Sequence, residues 1–436
     1  MFKRKLYDLL IDWKKSTINK TPLVIKGVTR CGKTTLVKYF GKENYKYVVY
    51  IDFKQDEKVK EIFNSYININ DLILSLSSCN KDYNFIENET IVIFDNIEYN
   101  LNAISAAKIF METLSIDVVI TTSMDIKKYT DFDIVNLYPL DFEEFLFAHD
   151  NHDELADYIK TCVLNNEKIN ETLHKKLTKL FSIYICVGGF PEALLEYFKT
   201  HHLNNVRSIQ EKIINSIIDS FGKTIKNNNT LYIDNTKKER MKEIFLSINN
   251  QLLKDNKKFL YTLLKQKASS REYKESLDEL ESINVIIKSH NMNTINTPLS
   301  KNIIDSVFKI YILDIGLFVS MQDLEISHRI LNKEYNICNN ALYESIIADA
   351  FIKNSRPLYY FKKQSGLEID FVIFYNGSIK LVELRKTTGN TKAYKQILED
   401  NINYSNVNHL IKFQDENISI SNNTYIYPYY LASFIY

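Results

Sequence analysis

The stretch from Gly27 to Thr35 reads GVTRCGKTT, and the fold around it is organised by this loop. It contains the pattern G-x-x-x-x-G-K-T, in which glycines let backbone N–H groups wrap a phosphate. A short apolar run precedes the loop and a helical pattern follows it, which is the strand–loop–helix context that phosphate binding requires. The sequence therefore predicts a nucleotide-binding loop made of Gly27, Val28, Thr29, Arg30, Cys31, Gly32, Lys33, Thr34 and Thr35.

The predicted cofactors are ATP and Mg²⁺. Lys33 is expected to contact the β- and γ-phosphates, and the Thr34 hydroxyl is expected to ligate magnesium. The run IVIFD is an apolar strand that ends in Asp95, where a carboxylate would complete the magnesium shell; a helix N-cap is the alternative. The run VVITT ends in Thr122, which together with the adjacent Ser123 is a candidate sensor of the γ-phosphate. A simple turn hydroxyl explains that position equally well.

The residue after Asp95 is Asn96. Active sites of this type usually place a glutamate there to polarise water, and an amide cannot act as a base. Glu98 is the candidate substitute, so the predicted catalytic residues are Lys33, Asp95 and Glu98. The sequence supports nucleotide binding more firmly than hydrolysis.

Composition limits the class of protein. At 436 residues the chain is expected to form two or three domains, and 45% hydrophobic and 25% charged residues indicate a globular protein. The net charge of +1 means that any nucleic-acid contact must come from a local basic patch. No apolar run reaches the length of a membrane span. The five cysteines are scattered and form no C-x-x-C, so a cytoplasmic protein without zinc or disulfides is expected.

A second informative stretch, residues 367–385, reads LEIDFVIFYNGSIKLVELR. Its Asn-Gly pair between two apolar runs predicts a hairpin with a type I′ turn. A two-residue turn places Asp370 opposite Glu383 and Glu368 opposite Arg385, on one face of the hairpin. Opposed carboxylates repel each other unless something compensates, and a divalent cation is one compensator. A structural ladder of ion pairs is the alternative.

Taken together, the motifs resemble those of AAA-type ATP-binding proteins that pair a P-loop domain with a C-terminal domain of unknown function resembling restriction endonucleases. Two departures from the family pattern stand out: Asn96 replaces the usual glutamate, and residues 130–137 read TDFDIVNL where a Gly-Arg pair is usual. PLDFEEFL and GGFPEA are specific when they occur together. The matching pieces, in order, are KRKLYDLLIDWKKS, GVTRCGKTT, IVIFD, YPLDFEEFL, GGFPEA, IYILDIGL, NALYES, LEIDFVI and LVELR.

The resemblance implies an α/β fold. Its first part would be a P-loop NTPase parallel sheet with helices on both faces, followed by a helical or winged-helix region and a C-terminal α/β domain of restriction-endonuclease-like type. The implied boundaries are an AAA-type ATPase domain over 1–200 (core about 18–150, helical lid to about 200), a winged-helix linker domain over 201–300 and the nuclease-like domain over 301–436.

The resemblance also implies a metal site, with Asp370, Glu383 and Arg385 in the nuclease pattern and Glu344 on a preceding helix as an extra ligand. Arg385 replaces the usual lysine and cannot lose its proton to act as a base. The expected function is a Mg-dependent ATPase or switch coupled to a nuclease-like domain. The alternatives are a hydrolysis-deficient nucleotide-binding interaction module and an ATP-gated nuclease. DNA, RNA and an unidentified protein are candidate partners, and a membrane is not.

Overall fold

The computed structural model describes residues 1–18, 20–149, 153–226, 230–334, 340–384, 392–400, 402, 404, 406–421 and 423–435. Its contacts form two compact units. The first contains Met1–Tyr138, Asn215–Lys242 and Ser276–Asn284, and the second contains the remaining segments, Pro139–Ile214, Glu243–Glu275 and Val285–Tyr436. The predicted three-domain division at 200 and 300 uses other boundaries and stays a prediction.

The chain begins as an alternation of helices and strands. A single 3-10 turn, Ile97–Tyr99, follows β3 directly. The elements of this part are α1 (Leu6–Lys15), β1 (Leu23–Lys26), α2 (Lys33–Asn44), β2 (Tyr47–Asp52), α3 (Glu57–Ser65), α4 (Ile69–Cys79), β3 (Thr90–Asp95), α5 (Ala103–Leu114), β4 (Asp117–Thr122) and β5 (Ile134–Asn136).

Helices dominate the middle of the chain, and strands return after residue 285. The middle elements are α6 (Phe142–Ala148), α7 (Asp153–Asn165), α8 (Glu171–Val187), α9 (Pro191–Thr200), α10 (Leu203–Asp219), β6 (Lys223–Ile225), β7 (Leu231–Ile233), α11 (Asn235–Leu252) and α12 (Ser270–Ser282). The later ones are β8 (Ile286–Met292), β9 (Ile303–Ile312), α13 (Ile315–Ser320), α14 (Leu324–Leu331), α15 (Ala341–Lys353), β10 (Leu358–Lys362), β11 (Glu368–Tyr375), β12 (Ser378–Leu384), α16 (Lys392–Glu399), β13 (Val407–Phe413), β14 (Ser419–Ser421) and β15 (Thr424–Tyr427).

The first unit is built on a five-stranded sheet in the order β2-β3-β4-β1-β5, with every neighbouring pair parallel. Strands buried on both faces read as continuous apolar runs, and β3 and β4 do so here. The chain leaves β1 for the far edge at β2 and later leaves β4 for the opposite edge at β5. In such a sheet, ligands bind at the carboxyl ends of the strands where the direction of winding reverses. The predicted parallel sheet is confirmed, whereas β5 was not predicted.

Helices cover both faces of this sheet. On one face α2 packs Leu36, Val37 and Phe40 inward, and Gly41 lies against Ile91 and Ile93. On the other face α3, α4 and α5 close over a single apolar cluster that includes Val24, Val92 and Ile120 from the strands. The α/β class with helices on both faces of a parallel sheet is therefore confirmed.

The second unit contains a mixed eight-stranded sheet in the order β14-β15-β13-β12-β11-β10-β8-β9. Its centre is the predicted hairpin of β11 and β12, whose pairing of Tyr375 with Ser378 matches the predicted register. Asn376 and Gly377 have φ angles of 49° and 72°, as a type I′ turn requires. The predicted hairpin and its turn are confirmed.

A buried ionic cluster ties together several of the sequence motifs in the second unit. The Lys353 ammonium lies 2.8 Å from Asp349 and 3.3 Å from Asp314, and it also donates to the Tyr184 hydroxyl at 3.1 Å. The N–H of Gly189 donates to Asp314 at 2.8 Å. GGFPEA and IYILDIGL therefore have a structural basis, since a main-chain amide of one is bound by the carboxylate of the other.

The middle region is helical over most of its length, as expected, and the short β6–β7 hairpin separates α10 from α11. Later in the chain, β8 continues to Met292 because it pairs with β9 and β10 on its two sides. Among the described helices, none is both long enough and apolar enough to cross a bilayer.

Candidate functional site

The loop between β1 and α2 needs glycine at two positions for different reasons. A Cβ at Gly27 would collide with the Leu137 carbonyl oxygen and come within 2.8 Å of the Cys31 sulfur. Gly32 has a φ of 101°, in the left-handed region that favours glycine. The two glycines of the sequence pattern are thus set by close packing and by backbone conformation respectively.

The Lys33 side chain is folded back into the loop. Its ammonium donates to the carbonyl oxygens of Gly27 at 2.7 Å and Val28 at 2.9 Å, and the residue is buried. Lys33 is also the first residue of the twelve-residue α2, so the helix directs its positive end into the same loop. Of the other predicted loop residues, Cys31 is buried, Thr29 and Thr34 are half-buried, and Arg30 and Thr35 are exposed.

The two predicted magnesium ligands meet directly. The Thr34 hydroxyl donates to Asp95 Oδ2 at 2.8 Å, although the two residues are 61 positions apart. The Tyr50 hydroxyl donates to the same oxygen at 2.7 Å, and Thr121 donates to Oδ1. Magnesium is usually held by one or two protein oxygens together with substrate phosphates and water, and this pair fits that requirement.

The side chains of Asn96 and Glu98 make hydrogen bonds with different residues. Asn96 has a φ of 58°, a left-handed conformation that asparagine adopts more readily than most residues. Its amide nitrogen donates to Asp52 at 2.8 Å, away from Glu98. The turn at Asn96 leads into the 3-10 turn that carries Glu98, two residues later.

Glu98 is fully buried in a cage of donors. Its Oε1 accepts the Ser123 hydroxyl at 2.5 Å and the Lys223 ammonium at 3.3 Å, and its Oε2 accepts the Thr122 hydroxyl at 3.0 Å. Burial alone would raise the pKa of Glu98. The charge of Lys223, the Ser123 hydrogen bond and the charge of Lys33 outweigh burial, so the pKa is lowered and the group is a carboxylate.

Sequence reasoning placed Lys33, Thr34, Asp95, Glu98 and Thr122 in one site, and the structure brings them together. It missed Tyr50, Thr121 and Lys223. Thr121 precedes the predicted sensor in VVITT and could have been found from the end of that strand. Tyr50 and Lys223 had no usable signal, since a contact between residues 98 and 223 leaves no mark in either local pattern.

The candidate nuclease site in the second unit is occupied by ion pairs. Glu344 accepts Lys257 at 2.5 Å, Lys309 at 3.1 Å and the Tyr311 hydroxyl at 2.7 Å. Burial opposes its ionisation, but Lys309 and Lys257 lower the pKa of Glu344 to about 2. Its charge is therefore compensated by two ammonium groups from the chain itself.

The other members of that predicted site are Asp370, Glu383 and Arg385. Asp370 accepts the N–H of Leu384 at 2.9 Å, and burial and the Glu344 charge raise its pKa to about 6. Glu383 is buried on β12, and Arg385 lies outside the described residues. Within the described part of the chain, no three acidic, histidine or cysteine side chains are placed to share a metal ion.

Comparison with known families gives one informative match at the nucleotide site. The model of the AAA domain matches residues 19–146. These residues are therefore similar to AAA domains. The match supports an ATPase-type, nucleotide-binding role for the sheet that carries Lys33 and Asp95. Residues 178–328 and 339–432 match two domains of unknown function, DUF8612 and DUF4143.

Comparison with solved structures and curated proteins adds little. The Orc1 protein of Aeropyrum pernix, solved in complex with DNA, is 10% identical over 76% of this chain and 91% of that chain, with a TM-score of 0.26. Protein VC1899 of Vibrio cholerae is 10% identical over 89% of this chain and 95% of that chain, with a TM-score of 0.16. Both TM-scores are too low to carry an inference. No curated protein matches the sequence.

Proposed function

We propose that the AAA domain binds ATP with Mg²⁺, hydrolyses it, and acts as a nucleotide-dependent switch. The observation that carries this proposal is the hydrogen bond between Thr34 and Asp95, beside the loop that holds Lys33. Three residues from two elements, α2 and β3, supply an ammonium, a hydroxyl and a carboxylate at the carboxyl end of one sheet. A purely structural loop would have no need of all three.

Each residue then has a distinct role. The loop amides bind the phosphates, and the Lys33 ammonium exchanges the carbonyls of Gly27 and Val28 for phosphate oxygens. Thr34 and Asp95 would hold the magnesium ion, which neutralises charge on the β- and γ-phosphates when it is bound. Tyr50 and Thr121 orient the Asp95 carboxylate by donating to it.

Glu98 is the residue that we assign to water activation. Lys33 is among the charges that lower its pKa, so the carboxylate interacts electrostatically with the ammonium that would bind the γ-phosphate. Asn96 is held by Asp52 and carries no base. Thr122, the predicted sensor, orients Glu98 through its hydroxyl.

The test combines two measurements on purified full-length protein. Isothermal titration calorimetry gives the affinity for Mg·ATP, and phosphate release gives turnover. Lys33→Ala should lose affinity, whereas Glu98→Gln should keep affinity and lose turnover by a factor of about 10²–10⁴, the range for a general base. Wild-type protein that takes up no Mg·ATP would refute the proposal.

A second candidate is a nucleotide-binding interaction module that barely hydrolyses ATP. The observation in its favour is that donors already occupy both oxygens of Glu98. The same pair of measurements separates the two candidates. Wild-type binding with turnover no higher than that of Glu98→Gln would select the module.

The finer expectations stay predictions. They are the winged-helix region, the restriction-endonuclease-like domain, the cytoplasmic location, and DNA, RNA or a protein as partner. The pairing of Glu344 with Lys257 and Lys309 weighs against a metal-dependent nuclease. Incubation of DNA and RNA with Mn²⁺ and either wild-type or Asp370→Ala protein tests this. Cleavage that depends on Asp370 would support the prediction of a nuclease.

A further inference from the structure

Lys223 reaches the nucleotide site from a part of the sequence that no motif marks. It begins β6, and its ammonium lies 3.3 Å from Glu98 Oε1 and 3.1 Å from the Ser123 hydroxyl. It also lies 5.1 Å from the centre of the Tyr99 ring, next to Glu98 in the 3-10 turn. Lys223, Ser123 and Glu98 all belong to the first compact unit.

The partners of Glu98 leave little capacity for another proton donor. Oε1 accepts the Ser123 hydroxyl at 2.5 Å, the Ser123 N–H at 3.3 Å and the Lys223 ammonium at 3.3 Å. Oε2 accepts Thr122. A general base must accept a hydrogen bond from the water that it deprotonates. In this arrangement Oε1 can do so only after one of its three present donors has moved away.

Lys223 is the donor best able to move. Thr122 ends β4 inside the parallel sheet and Ser123 follows it directly, so their positions are fixed by the core. Lys223 is carried by a hairpin whose paired strands have only three residues each, which is too little pairing for a two-stranded unit to be stable by itself. The hairpin is held to the first unit by Ile225, which packs against the apolar cluster there. Its side chain keeps 12% of its surface exposed, whereas Glu98 keeps none.

We propose that Lys223 is an inhibitory latch on Glu98. The inference rests on the proposed ATPase function and deepens it, because it assigns the regulation of that site to the β6–β7 hairpin. While the ammonium is in place, Glu98 Oε1 is occupied by hydrogen-bond donors and cannot accept one from water. Withdrawal of the hairpin removes the Lys223 ammonium and lets the carboxylate bind the water. The charged groups that face Glu98 are Lys223 and Lys33. Lys33 sits on α2, which packs on the nucleotide sheet, whereas Lys223 sits on the separate two-stranded sheet of β6 and β7.

The second strand of the hairpin contacts the same turn. Leu231, Tyr232 and Ile233 line a cavity of about 540 Å³, and its opposite wall includes Tyr99 and Asn100. Both strands of the hairpin therefore lie against the residues that follow Glu98. Displacement of the hairpin would open this cavity and the Glu98 site together.

The test is turnover of Lys223→Met, which keeps the length of the side chain and removes the charge. We expect kcat to rise about tenfold, the factor that one charge-assisted hydrogen bond represents, with KM for ATP unchanged. Lys223→Arg keeps the charge and should hold kcat near the wild-type value. Lys226→Met, an exposed lysine on the same hairpin, is the matched control and should leave kcat unchanged.

Two further measurements make the result decisive. In a Glu98→Gln background, Lys223→Met should have no effect on kcat, because the latch acts through the carboxylate. A kcat for Lys223→Met at or below wild type overturns the latch. A KM for ATP that rises in Lys223→Met as it does in Lys33→Ala also overturns the latch, because Lys223 would then be a phosphate ligand. Failure of wild-type protein to bind Mg·ATP in calorimetry would instead refute the proposed function itself.

Discussion

Removing the charge of Lys353 should destabilise the second compact unit strongly. The ammonium lies between Asp314 and Asp349, and all three side chains are at most 3% exposed. Lys353→Met fills nearly the same volume but leaves two carboxylates without their cation. Breaking a buried ion pair by removing one partner costs about 3–5 kcal/mol, because the remaining charge stays desolvated.

The remaining hydrogen bonds place the expected cost at the lower end of that range. Asp314 keeps the N–H groups of Gly189 at 2.8 Å and Leu317 at 3.1 Å. Asp349 keeps the N–H of Ile315 at 3.2 Å. We therefore expect a loss of about 3 kcal/mol. For a unit of this size that loss corresponds to a fall in Tm of about 6–12 °C.

Differential scanning calorimetry of the full chain at about pH 8, above the pKa of about 7 for Asp349, measures this change. Lys199→Met, at an exposed position in α9, is the matched control and should stay within about 0.5 kcal/mol of wild type. Lys353→Met combined with Asp349→Asn should recover about 1 kcal/mol, since one of the two orphaned charges is then gone. If Lys353→Met is as stable as wild type, the two carboxylates do not depend on this ammonium and the reasoning fails.

Three other substitutions test the site and the cluster. Gly27→Ala should weaken Mg·ATP binding in calorimetry, because its Cβ would displace the Leu137 carbonyl or Cys31; unchanged affinity would contradict the close packing. Asn96→Glu should not raise turnover, since it places a second carboxylate beside Asp52 in a left-handed conformation, and a gain in phosphate release would show that position 96 faces the water. Burial raises the pKa of Asp349 to about 7 from 3.8, so the folded state keeps a proton that the unfolded state has released. The stabilisation that comes from this proton is complete below about pH 4 and is lost as the pH rises through 7, so Tm should fall over that range. Asp349→Asn should make Tm depend less on pH between about 4 and 7. An unchanged dependence would contradict the assignment.

The features that could be predicted from the sequence are those with a local signal. Short continuous apolar runs, which are typical of buried strands, predicted β1 to β4. The spacing of the glycines predicted the loop around Lys33. The Asn-Gly pair fixed the register of β11 and β12. In each case the residues that determine the structure lie within a few positions of one another, so a single stretch contains the information.

What could not be predicted depends on contacts between distant residues. β5 and the β6–β7 hairpin have three-residue strands, too short for a hydrophobic period to show. The pairing of Lys223 with Glu98 joins positions 125 apart. Likewise, no local pattern shows that Lys257 and Lys309 neutralise Glu344, and the metal site predicted at Asp370 and Glu383 stays a prediction.

The two acids of the nucleotide site differ in their neighbours, and that difference separates their roles. The donors to Asp95 are hydroxyls from Thr34, Tyr50 and Thr121, which leave its negative charge uncompensated and available to a cation. Glu98 instead faces ammonium groups, and these compensate its charge. A carboxylate that already has a counter-charge is a poor place for magnesium, whereas one surrounded by hydroxyls is a good one. Distinct environments of this kind are how two like groups take on distinct chemistry. The difference supports the proposals that Asp95 holds the metal and that Glu98 receives a proton once Lys223 withdraws.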